Sequence, residues 1–302
     1  MTEIISLDKN YSTTCNVIKV KSQDVLKKIT QDNKEKDKFK SIMFIPKAKG
    51  MIKEGGLRSH GYFKKSYDNK PLISIITVVH NGARHIEETI QSVINQDYDN
   101  VEYIIIDGDS TDGTIDIIKK YDDMIDYWVS ESDNGIYDAM NKGISLCTGA
   151  IIGIINADDY YLKDSFSVVI NELNNPNTDI LYSDFYFLDR DKFFSKKANH
   201  NLLNIKMSVF HPSVFMKKKM YKEYGCFDCN LKISADYKLI YNLYRRNLKF
   251  KKTSSLLTAM RLGGVSTNSR LAIEETFDIQ KTNSIVLAYL FKYLRLLKRI
   301  LI

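Results

Sequence analysis

The sequence predicts an α/β fold in which a parallel or mixed sheet is flanked by helices, and three observations carry that prediction. From Pro71 onward, short β-branched apolar runs alternate with amphipathic stretches joined by brief polar loops, the pattern of a parallel sheet with crossover helices. The runs are continuous rather than alternating, as in Ala150 to Ile155, which marks strands buried on both faces. Polar residues also fall in register: His80-Asn81, Asp107 to Asp112 and Asn156 to Asp159 each follow directly on such a run. Sheets of this kind bind ligands in the crevice beyond the carboxyl ends of their strands.

Residues 1–70 show little regular pattern. Lys21 to Lys40 is charged enough for a solvated helix, whereas Met43-Phe44-Ile45-Pro46 and Lys53-Glu54-Gly55-Gly56-Leu57-Arg58 read as irregular. We take 1–70 as a partly ordered N-terminal extension, 71–270 as the main domain and 271–302 as a helical tail. Leu72 to Val79 is a β-branched strand that His80-Asn81-Gly82 breaks. Arg84 to Gln96 sets Ile86, Ile90, Val93 and Ile94 on one helical face. Asp97 to Asn100 turns the chain into a strand over Val101 to Ile106, after which Asp107 to Thr114 opens a helix ending near Tyr121. Tyr127 to Val129 is a short strand, and Gly135 to Cys147 a helix with Ile136, Ala139, Met140, Gly143 and Ile144 on one stripe. The central strand follows. Past Asp164 the pattern is mixed: a helix over Ser165 to Leu173, antiparallel strands over Ile180 to Leu188 and Lys192 to Lys197, and a strand over Val209 to Phe215 interrupted at Pro212. A helix over Ser234 to Tyr244, with Ser234 as its cap, and a late strand over Ser255 to Leu262 complete the domain.

With 302 residues, 44% hydrophobic and 27% charged, the composition is that of an ordinary globular protein. The chain has neither an uncharged apolar stretch of about 18 residues nor a basic-then-apolar leader, so a cytoplasmic protein is expected. Its net charge of +7 is uneven: residues 1–70 carry 16 Lys/Arg against 8 Asp/Glu, residues 284–302 carry 4 against none, and the middle is net −5. Basic ends on a slightly acidic body argue against a nucleic-acid groove, which needs one continuous basic face, and suit an anionic membrane surface. In the tail, Lys292, Arg295, Lys298 and Arg299 share one helical side with apolar residues elsewhere, the make-up of a peripheral interfacial anchor. Cys226 and Cys229 have zinc-ligand spacing but no second pair. With Cys15 and Cys147 they are expected as reduced thiols.

The run ending in Asn156-Ala157-Asp158-Asp159 puts two carboxylates and a carboxamide at the end of a buried strand, which is costly unless something positive binds there. Mg²⁺ or Mn²⁺ already carrying a diphosphate fits, because such ions take one or two protein oxygens; the plainer reading is that these residues cap the next turn. The loop from Asp107 to Thr114 is no calcium site, since Gly at its sixth and Glu at its twelfth position are replaced by Asp112 and Ile118. It also lacks the glycine pattern of dinucleotide folds and the lysine of a phosphate loop. That leaves Asp107 to accept from a base or ribose, with Asp109, Ser110 and Asp112 available to cap the helix.

Ile73 to Gly82, Ile104 to Thr114, Asp133 to Ile144 and Asn156 to Asp159, in that order, resemble the motifs of the family 2 inverting glycosyltransferases of the GT-A fold, bacterial surface-polysaccharide type. The likeness runs from residue 71 to about 265 and implies a nucleotide-binding sheet, a C-terminal acceptor-side segment and terminal helices. It implies that Val78, Val79, His80, Asn81, Asp107 and Asp109 border the nucleoside and that Asp133 and Asn141 lie against the donor. Asn156-Ala157-Asp158 takes the place of the Asp-x-Asp motif that holds the diphosphate-bound Mn²⁺ or Mg²⁺. Asn156 stands where that motif has its first Asp, so Asp158 is the expected metal ligand. Asp236, at the start of a helix, corresponds to the general base that deprotonates the acceptor hydroxyl; its bland reading is a first-turn carboxylate favoured by the helix dipole. The resemblance also brings His211 to acceptor or phosphate, and Arg261 with Gly263-Gly264-Val265-Ser266 to a segment closing over the diphosphate. The function implied is transfer from a nucleotide sugar, a UDP-sugar first, to a hydroxyl of a glycan or lipid-linked acceptor in surface-polysaccharide synthesis. A sugar-nucleotide nucleotidyltransferase is the nearest rival, but it needs a Gly-rich basic loop where His80-Asn81-Gly82-Ala83-Arg84-His85 stands. A non-catalytic relative would explain Asn156 but leaves Asp107, Asp158 and Asp236 without purpose.

Overall fold

The computed structural model describes residues 4–21, 24, 33–46, 53–189, 192–262, 270–282 and 285–300. Its strands are β1 (Ile4–Ile5), β2 (Val17–Lys19), β3 (Lys53–Gly55), β4 (Tyr62–Phe63), β5 (Ile73–Val79), β6 (Val101–Asp107), β7 (Tyr127–Ser130), β8 (Ile151–Asn156), β9 (Tyr160–Tyr161), β10 (Ile180–Tyr182), β11 (Phe185–Asp189), β12 (Lys192–Lys196), β13 (Val214–Lys217), β14 (Phe250–Lys252) and β15 (Thr258–Arg261). The helices are α1 (Ile86–Ile94), α2 (Thr114–Lys119), α3 (Ile136–Leu146), α4 (Ser165–Leu173), α5 (Lys218–Tyr224), α6 (Ala235–Arg245), α7 (Arg270–Lys281) and α8 (Ile285–Ile300).

Eight strands form the main sheet in the order β14-β10-β13-β8-β5-β6-β7-β3. Its centre, β8-β5-β6-β7, is parallel, and antiparallel pairs flank it on both sides. The alternation of side chains along β5 explains why the run is apolar throughout. Ile73, Ile75 and Val79 join a core with Ile86, Ile90 and Val93 of α1, while Ile76 and Val78 join the opposite core with Met140 and Ile144 of α3. Each face therefore needs its own apolar set. Helix α3 comes close because position 143 is glycine: a Cβ there would lie 2.5 Å from Ile76 Cγ2. Ile136, expected on the buried stripe of that helix, is instead exposed.

Two expectations on the periphery are corrected. Residues 53–58, read as irregular, form β3 and a 3-10 turn over Leu57–His60, because β3 finds backbone partners along β7. Buried Arg58 then reaches Glu102 at 2.6 Å and the carbonyls of Met43 and Leu146 at 3.1 and 3.0 Å. Ile180 to Leu188, read as one strand, splits into β10 of the main sheet and β11 of a second sheet ordered β12-β11-β15-β9. The break is polar: Ser183 Oγ accepts from Leu257 N at 3.2 Å, and Asp184 Oδ1 accepts from Ala198 N at 2.6 Å. The strand expected over Val209 to Phe215 begins only at Val214: Pro212 sits in a 3-10 turn over His211–Ser213, and Val209 and Phe210 before it are not strand. Helix α5 and strand β14 had no counterpart in the sequence reading. Of the charged helix expected over Lys21 to Lys40, residues 33–40 form turns and bends instead, where Asn33 and Ser41 bond to one another at 2.8 and 3.0 Å; residues 25–32 lie outside the described residues, as does the closing segment Gly263 to Ser266. All four cysteines are free thiols.

Candidate active site

The register of the sheet decides where the polar strand ends meet. Val79 of β5 pairs with Asp107 of β6, and Val78 with Asn156 of β8. Asp107 and Asn156 thus flank β5 at one edge of the sheet, two strand spacings or roughly 10 Å apart. The third loop reaches the same edge, since a Cβ on Gly108 would lie 2.7 Å from Asp133 Oδ2 and 3.5 Å from His80 Nδ1. Glycine at 108 lets these loops close on one another.

One end of the edge is built by hydrogen bonds between loops. Asn81 N donates to Ser110 Oγ at 2.7 Å, Thr111 N to Asn81 Oδ1 at 2.9 Å, and Ala83 N to Asp112 Oδ2 at 3.0 Å. His80 Nδ1 lies 2.8 Å from Gly108 O. Asp107 is fully buried; its Oδ2 accepts from Ser110 N and Ser130 Oγ at 2.9 and 2.7 Å, and its Oδ1 has no partner. A buried carboxylate oxygen without a donor costs on the order of 1–3 kcal/mol, and a ligand N–H or O–H would supply what is missing. Val78, Val79 and Ala157 are buried in the two cores, so only their backbones can border a ligand. Asp109 is exposed at a φ of 61°. It caps nothing in α2, whose first-turn partner is Asp112, accepting from Thr114 N at 3.1 Å. Asn141 is a correction to the donor set: its Oδ1 accepts from Phe227 N at 2.9 Å and its Nδ2 donates to Phe227 O at 2.8 Å. It pins the 226–229 turn instead of facing the crevice.

At the other end, a continuous polar path leaves Asn156. Its Nδ2 lies 3.5 Å from Asp159 Oδ2 and its Oδ1 lies 3.4 Å from His211 Nε2. His211 Nδ1 in turn lies 3.4 Å from Asp236 Oδ2. Asp236 Oδ1 accepts from Tyr237 N at 2.7 Å and lies 3.3 Å from the Tyr137 hydroxyl, whose proton is committed to Ile233 O at 2.6 Å. Burial, and then the charge of Asp236, hold that hydroxyl protonated by raising its pKa. So the strand end of β8, the turn before β13 and the first turn of α6 converge on one carboxylate. Ser234 sits at the N-cap of α6 but its side chain caps nothing. Glu275 of α7 instead fixes the backbone just ahead of the helix, accepting from the N–H groups of Lys232, Ile233 and Ser234 at 2.7, 3.0 and 2.8 Å.

Arg261, the last residue of β15, closes the loop after β8. Its guanidinium donates to Asp158 O at 2.5 Å and pairs with Glu88, while its N–H donates to Asp159 Oδ1 at 3.0 Å. Burial, and then the neighbouring charge of Asp158, push the Asp159 carboxyl up to about 8. The half-buried Asp158 carboxylate takes part in no hydrogen bond or ion pair among the described residues. No group of three or more His, Cys, Asp or Glu gathers to hold a metal among those residues. That donor set fits a hard cation bound through one carboxylate with its remaining ligands from phosphate and water; it does not fit an all-protein cage.

The profile of glycosyl transferase family 2 matches residues 74–246, a span that begins in β5 and ends just past α6. The chain belongs to that family. A Rickettsia typhi protein named as a glycosyltransferase, itself uncharacterized, is 29% identical over 222 residues, covering 69% of this chain and 70% of that one. A Bacillus subtilis protein, TuaG, named for teichuronic acid biosynthesis, is 38% identical over 98 residues, covering 32% of this chain and 39% of its own. Among solved structures, residues 1–349 of Staphylococcus aureus TarS with UDP-GlcNAc superpose with a TM-score of 0.57 at 17% identity, covering 69% of this chain and 64% of that one, under two thirds of its length. The Pyrobaculum calidifontis mannosyltransferase PcManGT, in complex with GDP-Man and Mn²⁺, gives a TM-score of 0.55 at 17% identity, with 74% and 70% covered. At such identities the structures establish a shared GT-A fold. This glycosyltransferase carries the two-faced sheet and mixed edges of that fold.

Sequence reasoning missed Tyr137, Glu275 and Glu88. Tyr137 stood inside a quoted motif, four residues past Asp133, but nothing local announced its approach to Asp236. Glu275 lies 39 positions beyond Asp236, and only the docking of α7 connects them.

Proposed function

We propose that this glycosyltransferase moves a sugar, with inversion, from a UDP-sugar to a hydroxyl of a glycan or lipid-linked acceptor. The setting is surface-polysaccharide synthesis in the cytoplasm, at the inner face of the membrane. The observation that carries this reading is the path Asn156–His211–Asp236, which joins the end of β8 to the carboxylate at the start of α6.

The nucleoside lies along Val79 to Asn81, with a base or ribose donor satisfying Asp107 Oδ1, and Asp133 borders the donor sugar. Asp158 would hold Mn²⁺ or Mg²⁺, which supplies charge balance to the departing diphosphate. Arg261, already on the Asp158 carbonyl, adds positive charge at the same place. Asp236 takes the proton of the acceptor hydroxyl as the new O–C1 bond forms and the C1–O bond to phosphate breaks. His211 stands between the two ends, its Nε2 3.4 Å from Asn156 Oδ1 and its Nδ1 3.4 Å from Asp236 Oδ2. An Asn at 156 therefore serves the base as well as the donor, because it helps to orient the imidazole beside Asp236.

The test is a panel of nucleotide sugars, scored for slow nucleoside diphosphate release with and without Mn²⁺. Metal-dependent hydrolysis of a UDP-sugar that Asp158→Ala abolishes is expected. Pyrophosphate release from a nucleoside triphosphate, or tight nucleotide binding with no turnover of any donor, would overturn the reading.

A further inference from the structure

Helix α8 leaves an apolar stripe facing outward. Val286, Tyr289, Leu290, Tyr293 and Leu294 are 73%, 60%, 50%, 62% and 51% exposed. Their spacing of three and then one residue keeps them on one helical face. Helix α7 lies along the other side: Ala288 is buried, Lys292 Nζ sits 4.4 Å over the Phe277 ring, and Tyr289, at the border of the row, meets the same ring edge-on at 4.9 Å. Five of the large apolar side chains exposed on this protein thus lie in a single row, whereas scattered exposure needs no explanation.

Charge decides what covers such a row. Residues 284–302 hold four Lys or Arg and no Asp or Glu. A second copy of α8 would offer these cations no carboxylate, so it lacks the anions that an acidic surface supplies. An anionic bilayer offers both things the helix lacks, acyl chains for the stripe and phosphates for the cations. Tyr289 and Tyr293 suit that depth, where a ring can be buried and its hydroxyl wet. Length excludes spanning: the 16 residues of α8 reach about 24 Å, short of a hydrocarbon core of about 30 Å. No helix among the described residues is long and apolar enough to cross a membrane.

We propose that α8 lies in the plane of an anionic membrane surface with Val286, Tyr289, Leu290, Tyr293 and Leu294 sunk toward the acyl chains. The proposal concerns a surface separate from the transfer site, so its test needs neither donor nor acceptor. The full chain is sedimented with vesicles of phosphatidylcholine alone and of phosphatidylcholine with about a third phosphatidylglycerol. Binding at least about tenfold tighter to the anionic vesicles is expected, weakening as salt rises. Leu290→Asp and Tyr293→Asp should each lower that binding by roughly tenfold or more; both residues are exposed, so thermal unfolding should stay unchanged. Reversing Arg295 and Lys298 together to Glu, half of the basic residues of 284–302, should lower binding to anionic vesicles several-fold while leaving the weak binding to neutral ones as it was. Equal binding to both vesicle types, or none to either, would overturn the proposal. So would a concentration-dependent dimer in sedimentation that Leu290→Asp dissolves, which would make the stripe an interface between copies.

Discussion

The two ends of β6 treat buried charge in opposite ways. At the amino end Glu102 is sealed in: Arg58 pairs with it at 2.6 Å, Thr148 N donates to it at 2.8 Å, and the hydroxyls of Ser74 and Thr148 complete its shell. Nearby, Lys64 meets Asp126 at 2.9 Å in an equally buried pair. Five residues further along the same strand, Asp107 Oδ1 has no partner, Asp158 is unpaired among the described residues, and Asp159 is driven up to about 8. A carboxylate such as Glu102, with both oxygens satisfied, serves folding, whereas Asp107, with one oxygen left over, can still take a ligand's donor. The contrast also gives the N-terminal segment a purpose, since Arg58 and Lys64 come from it.

Substitutions at the two ends should therefore separate activity from stability. The largest effect is expected from Asp236→Asn, which should lower turnover by roughly 10²–10⁴-fold while the unfolding temperature stays close to that of the parent. Near-parental turnover would remove Asp236 as the base. Arg58→Met should do the reverse, costing about 3–5 kcal/mol in urea unfolding because Glu102 is left buried without its counter-ion. Adding Glu102→Gln to that variant should recover part of the loss.

Glu275→Gln comes next. Removing the charge that holds three N–H groups ahead of α6 should cost about 1–2 kcal/mol of stability. It should also lower kcat more than it raises KM, because Asp236 would be less firmly placed. Asp107→Asn should weaken UDP binding by about tenfold in calorimetry and cost less stability than Arg58→Met, because an amide oxygen can still accept from Ser110 N and Ser130 Oγ. If it destabilises as Arg58→Met does, the contrast between the two ends fails.

The smallest effect is one of pH. Burial pushes Glu102 up, but Arg58 and the hydrogen bonds from Ser74 and Thr148 outweigh it and hold the carboxyl below its ordinary value of 4.5. A depressed folded pKa means the stabilisation is complete above the unfolded value and is lost as pH falls through the folded one. The stability gap between the parent and Glu102→Gln should thus be constant near neutrality and shrink in acid, read from urea midpoints along a pH series. A gap that widens in acid would reverse the sign assigned to Glu102.

The central strands and their polar ends were legible from residues alone. A strand buried on both faces must be apolar throughout, so Ile73 to Val79, Val101 to Ile106 and Ile151 to Ile155 announce themselves, and the first polar residue after each marks the crevice. What could not be read were meetings between distant segments. His211 lies 25 residues before Asp236, and Tyr137 lies 99 before it; no local pattern links them. Lys53 to Gly55 has little strand propensity and becomes a strand only because the edge of β7 offers hydrogen bonds, a case of pairing overriding propensity. Asn141 shows the same limit from the other side, since its motif pointed to the donor and the packed Phe227 turn claimed its amide.

The sequence by itself determined the parallel core, the edge at which Asp107 and Asn156 emerge, and the basic, apolar character of the tail. Each follows from side-chain chemistry within one short segment. Only the tertiary structure decided that Glu275 sets the start of α6, that Arg58 neutralises Glu102, and that α8 turns its apolar row outward. Those outcomes depend on which distant backbones and charges pack together, and the energy of an unsatisfied buried group is settled by neighbours that local sequence does not name.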